Sequence, residues 1–273
     1  MTDRPLTTDM VADPSMWRLS MEISPATLSV ALHCPVEANS LIYREIPLDP
    51  AADILHAVED AVYDNPLILQ PFGRTDILID TRRLTLVPAA LDPAYARDIA
   101  AAYWPDGNLH PVVEAIKGTD AAAVMVMEAD LHSFLRRTFP DARVTHSLAP
   151  LISYFALSGR LGNSGKIYAR LRPGAVDIIA FGSRGLLMAN SFAAPADDDV
   201  LYYIMAATER CGLSATDDEL MICGDTAMRE TLMPRLRQFH SYVMPVIFPS
   251  LMFRAGKDAL LAPFELMVLP LCD

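Results

Sequence analysis

Two stretches of this chain, 18–46 and 166–192, repeat one pattern, and a chain built from a duplicated unit is confined to architectures with two like halves. In the first stretch a strand over Arg18 to Ile23 meets a tight turn, Ser24-Pro25-Ala26-Thr27, and a second strand runs from Leu28 to Cys34. A third strand, Leu41 to Ile46, leads to a helix expected to open at Asp49-Pro50, a capping residue followed by proline at the first helical position. From Lys166 the order returns: strand to Leu171, turn at Arg172-Pro173-Gly174-Ala175, strand Val176 to Phe181, strand Leu186 to Phe192. The turns align Pro25 with Pro173.

The second unit continues in a way that fixes its strand sense. Asp197, Asp198 and Asp199 favour the positive end of a helix whose apolar stripe runs through Val200 or Leu201, Ile204, Ala207 and Cys211, and Gly212 ends it. An apolar strand, Leu220 to Cys223, a Gly224-Asp225-Thr226 turn and a helix from Ala227 to about His240 then imply parallel pairing. Val243 to Phe248 and Phe264 to Leu269 read as further strands or buried segments. In the first unit the matching parallel strand is placed at Ala123 to Val126, so residues 67–118 read as an inserted subdomain. That stretch holds strands Asp76 to Asp80 and Leu84 to Val87, and an amphipathic helix around Ala94 to Trp104. The domain reading is therefore a polar tail over 1–15, a first lobe over 16–158, a linker over 159–165 and a second lobe over 166–273.

Charge and cysteine usage narrow the function classes. With 22 basic and 34 acidic residues the chain carries a net charge of −12, which repels nucleic-acid backbones and anionic lipid surfaces. The longest uncharged stretches, Val144 to Ser158 and His240 to Phe253, are too short for a bilayer span. Cys34, Cys211, Cys223 and Cys272 stand singly without zinc spacing, and the first fifteen residues form no export signal, so free thiols and a cytoplasmic location are expected.

Two copies of a three-strand antiparallel meander, each followed by a helix and parallel strands, resemble the duplicated ribonuclease H-like fold of actin-like ATPases. This is an α/β fold of two lobes, each with a mixed sheet flanked by helices. An insertion in the first half resembles bacterial actin relatives of cell division and pilus assembly. The chain is also similar to an uncharacterised bacterial family, domain-of-unknown-function family 3822. The residues carrying that likeness are Ile79-Asp80-Thr81, Thr85-Leu86-Val87-Pro88, His146, Leu187 to Phe192, Tyr202-Tyr203 and Gly224-Asp225.

The actin-like resemblance implies ATP between the lobes, its phosphates held by two hairpin turns and its adenosine touched by a later glycine turn. A phosphate turn needs glycine, so that backbone N–H groups approach the oxygens, and a nearby carboxylate for Mg²⁺. The first turn has no glycine and a donor-deleting Pro25, with Glu22 standing in for the expected aspartate. The second keeps Gly174 but places Arg170 where an acidic residue is implied, and Asp177 comes too late. The third is kept as Gly224-Asp225. Glu22, Gly174, Gly224 and Asp225 are therefore the candidate nucleotide-binding residues. No catalytic residue, metal ligand or cofactor is assigned, and ATP with Mg²⁺ is the alternative.

Other motifs carry less. Gly159-x-x-Gly162-x-x-Gly165 precedes a strand instead of following one, so it reads as a linker and not a dinucleotide fingerprint. No G-x-S-x-G elbow occurs, and the six histidines make no helical metal pair; His146 stands out only through the family likeness. Glu22, Asp80, Asp177 and Asp225 do not repeat as a two-metal nuclease cluster. Met221, Met228, Met233 and Met244 are either core filling or an adaptable binding surface. The expectation is a scaffold or adaptor with degenerate phosphate turns, a protein partner and scope for homo-oligomers.

Overall fold

The computed structural model describes residues 5–105, 107–158 and 164–272. Its first unit opens with β1 (Arg18–Ile23), β2 (Thr27–His33), β3 (Ile42–Pro47) and α1 (Ile54–Tyr63). Then come β4 (Arg74–Ile79), β5 (Leu84–Pro88), α2 (Pro93–Tyr103), β6 (Leu109–Ala115), β7 (Ala121–Glu128), α3 (Ala129–Thr138), β8 (Arg143–His146) and α4 (Leu148–Ser158). The second unit has β9 (Lys166–Arg172), β10 (Ala175–Gly182), β11 (Gly185–Ala193), α5 (Asp197–Arg210), β12 (Glu219–Gly224), α6 (Thr226–Leu236), β13 (Tyr242–Pro245) and α7 (Phe264–Val268).

The repeat is present strand for strand. One sheet has the order β3-β2-β1-β4-β8 and the other β11-β10-β9-β12-β13. In each, the meander is antiparallel, and the first strand pairs in parallel with a later one that pairs in parallel with the last. The parallel neighbour of β1 is β4, which corrects the placement of that strand at Ala123 to Val126. That run lies in β7, the middle of a separate antiparallel sheet ordered β5-β7-β6. Ala122, Val124 and Val126 pack with Ala96 and Ala100 of α2, while Ala123, Met125 and Met127 join the main core. A strand buried on both faces reads as a continuous apolar run whether it is parallel or antiparallel, and periodicity cannot separate the two.

Two other boundaries move. α1 begins at Ile54 because the Asp53 carboxylate accepts the His56 N–H at 3.0 Å, whereas Asp49 closes an earlier turn on the Ala51 N–H. Starting there puts Ala57, Val58, Ala61 and Val62 on the buried face. The run Phe264 to Leu269, read as a strand or a buried segment, is helical and buried from Glu265 on.

The segment read as a loose polar tail is anchored. Leu6 and Val11 are buried in the first core, and the Leu6 N–H donates to the Asn65 side chain at 2.8 Å. Full burial of one such leucine contributes about 1.5–3 kcal/mol. Residues 159–163 of the linker reading lie outside the described residues, and Gly165 donates its N–H to Asp218. In α5 the Asp199 carboxylate accepts the Ala196 N–H, and Gly212 leaves the helix at φ 66°, as a glycine C-cap should. Three cysteines are buried and Cys211 is half-buried, all as free thiols. Among the described residues, no helix is long and apolar enough to cross a membrane.

Candidate functional site

β1 and β9 are the equivalent central strands of the two sheets, and their C-terminal ends face each other between the lobes. Pro25 and Pro173 are 148 residues apart, and so are Glu22 and Arg170. These two equivalent positions bond directly, Arg170 Nη2 donating to Glu22 Oε1 at 2.8 Å. Arg170 also reaches Glu265 of α7 at 2.5 Å, the Ser147 hydroxyl at 3.0 Å and Asp177 at 3.4 Å. Its side chain is only 6% exposed, so the place where the resemblance puts phosphate is held by a guanidinium and its carboxylates.

Arg172, two residues on, extends the network. Its Nη1 donates to both oxygens of Asp80 at 2.6 Å, its Nε and Nη2 take the two oxygens of Asp177 at 2.8 and 2.7 Å, and Nη2 also reaches the Ser191 hydroxyl. Such forked, charge-assisted bonds are the strong kind, and they need the planar fork of arginine. Asp80 belongs to the first unit and Arg170, Arg172 and Asp177 to the second, while Glu265 lies on α7, which ends the second unit's stretch of chain but packs on β1 and α4 of the first. The bonds therefore tie lobe to lobe.

Electrostatics follow from four buried carboxyl groups set against two guanidinium groups. Burial opposes charge on Arg170, but Glu265 and Glu22 outweigh it and hold its pKa well above the ordinary arginine value. Burial likewise works against Asp177, yet Arg172 and Arg170 keep its pKa below the usual range. Glu22 goes the other way. Burial and repulsion from Glu265 exceed the attraction of Arg170 and push its pKa well above 4.5.

The four sequence candidates fare differently. Glu22 is bonded to Arg170. Gly174 sits at φ 72° in the β9–β10 turn, as a glycine following proline in a tight turn does. Gly224 has φ 93°, and a Cβ there would lie 2.1 Å from the Leu171 carbonyl oxygen; the close approach of β12 to β9 requires that glycine. Asp225 caps α6 by accepting the Met228 N–H at 2.8 Å. Glu22, Gly174 and Asp225 do share one cavity of about 1200 Å³ between the lobes, with Pro25, Arg170 and Arg172 also on its wall.

The first turn offers no free donor to a phosphate. Ser24 N–H donates to the Thr27 carbonyl, Pro25 has none, and the N–H groups of Ala26 and Thr27 both go to Ser24 Oγ. The residues present at this turn and at Arg170 do not fit a nucleotide triphosphate. His146 is also spent: its Nε2 lies 2.7 Å from the Thr81 carbonyl and its Nδ1 accepts the Leu148 N–H at 3.0 Å. That bonding fixes the Nε2–H tautomer and joins the β4–β5 loop to the start of α4.

A family model described as a protein of unknown function (DUF3822) matches residues 11–243. The chain belongs to the DUF3822 family. Among solved structures this DUF3822 chain is similar to a Bacteroides thetaiotaomicron protein with actin-like ATPase fold and unknown function. The two are 23% identical with a TM-score of 0.81, covering 95% of this chain and 97% of the other. It also resembles a chain of the PilM-PilN type IV pilus biogenesis complex, at 12% identity and TM-score 0.56, covering 95% and 98%. No curated protein matches the chain. The fold is thus the actin-like ATPase fold. Four of the residues that suggested DUF3822 from the sequence have physical roles here: Asp80 and Ser191 bind Arg172, and Thr81 and His146 bind each other.

Arg172, Glu265 and Ser147 went unnoticed as site residues in the sequence. A lone glutamate inside the apolar run Pro263 to Leu271 was the available signal for Glu265, since a carboxylate there must find a partner.

Proposed function

We propose that this DUF3822 chain is a non-catalytic actin-like scaffold or adaptor, working in the cytoplasm with a protein partner, in which the ancestral nucleotide cleft has become a latch between lobes. The observation that carries this reading is the direct Arg170–Glu22 bond at the two phosphate-turn positions. Phosphoryl transfer depends on positioned metal and positive charge around the phosphates. Here the two arginines are neutralised by carboxylates, and the first turn has spent its N–H donors within itself.

A protein partner is supported by where apolar surface is exposed. Phe239, Tyr242, Ile247, Leu251, Phe253, Leu260 and Leu261 are all more than half exposed within one 23-residue stretch. Concentrated apolar exposure is a feature of interaction surfaces. The inserted region, the sequence-based candidate for that role, exposes Tyr95 and Tyr103 but no comparable series. A related fold within a two-protein complex, PilM-PilN, fits the same reading.

The cavity of about 1200 Å³ above the latch favours the alternative of a nucleotide bound in an unusual way by Glu22 and Asp225. Calorimetry and thermal unfolding with millimolar Mg-ATP separate the two. A ligand at a hundred times its Kd stabilises a protein by about 2.7 kcal/mol, a shift easily seen. The scaffold reading expects no heat and no shift. Saturable heat on titrating Mg-ATP into the wild type would overturn it.

A further inference from the structure

Arg172 spreads its two carboxylates over three nitrogens, Asp80 on Nη1 and Asp177 on Nε and Nη2, and both also lean on Arg170 at 3.9 and 3.4 Å. Arg170 is more crowded. A single nitrogen, Nη2, carries Glu22 at 2.8 Å and Glu265 at 2.5 Å, so two carboxyl groups 4% and 3% exposed face each other across one atom. Two carboxylates sharing a dry site cannot both ionise cheaply, and such pairs commonly hold one proton between them.

We propose that Glu22 and Glu265 hold one proton between them against Arg170, and that this proton is the catch of the inter-lobe latch, its loss to solvent releasing one lobe from the other. Glu22 lies on β1 of the first unit, Glu265 on α7, which comes late in the chain but packs on β1 and α4 of the first unit, and Arg170 comes from β9 of the second. While the proton is held, one carboxylate and one carboxyl group accommodate one guanidinium. When it leaves, two full negative charges oppose each other across one guanidinium nitrogen, both groups almost wholly buried. Opening the lobes rehydrates both carboxylates, so deprotonation favours the open form. The closed form binds the proton more tightly than the open form. Latching is therefore complete below the ordinary glutamate range and is lost as pH rises through the raised value.

The groups around the pair are each held by partners of their own. On β9, burial works against Arg172, but Asp177 and Asp80 outweigh it and hold its pKa above the ordinary value, and on β10 Asp177 is held, against burial, below the usual range by Arg172 and Arg170. On β12, burial pushes the Cys223 thiol up to about 12, and on β3 burial holds the Tyr43 phenol above its usual range, where its hydroxyl donates to Glu45. His146 of β8 is held below its ordinary value by burial and has both ring nitrogens hydrogen-bonded. Asp80 is doubly bonded to Arg172, and Asp225 is occupied as a helix cap.

This inference rests on the latched cleft and not on the absence of nucleotide binding, and it is tested on the nucleotide-free full chain. Infrared spectra of the wild type should show a buried carboxylic C=O band at pH 6 that disappears as pH rises. Small-angle scattering should report a larger radius over the same range. Glu22→Gln, which imitates the protonated group permanently, should lack that band and keep its radius constant. Glu265→Gln serves identically should the first variant not fold. A wild type without the band at pH 6 would overturn the proposal, as would a band that titrates while the radius stays fixed.

Discussion

Replacing Arg170 with methionine keeps much of the side-chain volume and removes the charge on which Glu22, Glu265 and Ser147 depend. Removing one partner of a buried ion pair typically costs 3–5 kcal/mol. The site itself gives a similar figure by another route. With Arg170 gone, the folded chain must take up about one additional proton at the glutamate pair. Protonating a carboxyl group of ordinary pKa ~4.3 at pH 7 costs about 3.7 kcal/mol, at roughly 1.36 kcal/mol per unit. Near this chain length, 1 kcal/mol corresponds to about 2–4 °C in Tm, so a loss of roughly 8–15 °C is expected at pH 7. The proton origin of the deficit gives it a signature. As pH falls from 7 to 5 the gap between variant and wild type should narrow by about 1.4 kcal/mol per unit, because the required proton becomes cheaper. Denaturant unfolding monitored by circular dichroism at three pH values measures this. A deficit under about 1 kcal/mol, or one equally large at pH 5 and pH 7, would refute the reasoning.

Further outcomes follow from the same structure. Gly224→Ala should destabilise by about 3 kcal/mol or more, from a clash with Leu171 added to a positive φ, while Gly174→Ala, at positive φ but in open space, should cost only about 1 kcal/mol; unfolding midpoints compare them. His240 is buried with neither ring nitrogen bonded, and burial holds its pKa below 6.5, so the unfolded chain binds a proton that the folded one resists. Stability from this group is present above about pH 6.5 and lost as pH falls, and His240→Leu should flatten that loss without lowering stability at pH 7. His146→Leu strands the Thr81 carbonyl and the Leu148 N–H, and should cost about 2–3 kcal/mol in the same assay.

The duplicated meander was legible because its signals are local. Turn residues at Pro25 and Pro173 and the strands beside them lie within a few positions of each other, and the two sheets follow. The erosion of the phosphate turns was legible too, since Arg170 in an acidic position is visible in one dimension. What Arg170 does instead was not. Its partners Glu22 and Glu265 come from opposite ends of the chain, and only packing of the lobes brings them to one nitrogen. Asp177, dismissed because it falls too late for a metal site, lies opposite Arg170 in the β9–β10 pairing and forks with Arg172. The parallel strand of the first unit was misplaced for a different reason: the inserted sheet buries both faces of β7, erasing the alternation that marks an antiparallel strand with one face in water.

A distance across the cleft tests the latch most directly. Spin labels on exposed positions of the two lobes, Val36 and Arg184, in a chain whose other cysteines are replaced, report that distance by pulsed electron resonance. At neutral pH a single narrow distribution is expected, unchanged by millimolar Mg-ATP and broadened toward longer distances in Arg170→Met. A wild type with two populations, or one whose distance shifts on adding Mg-ATP, would contradict a cleft held shut by Arg170 and its carboxylates.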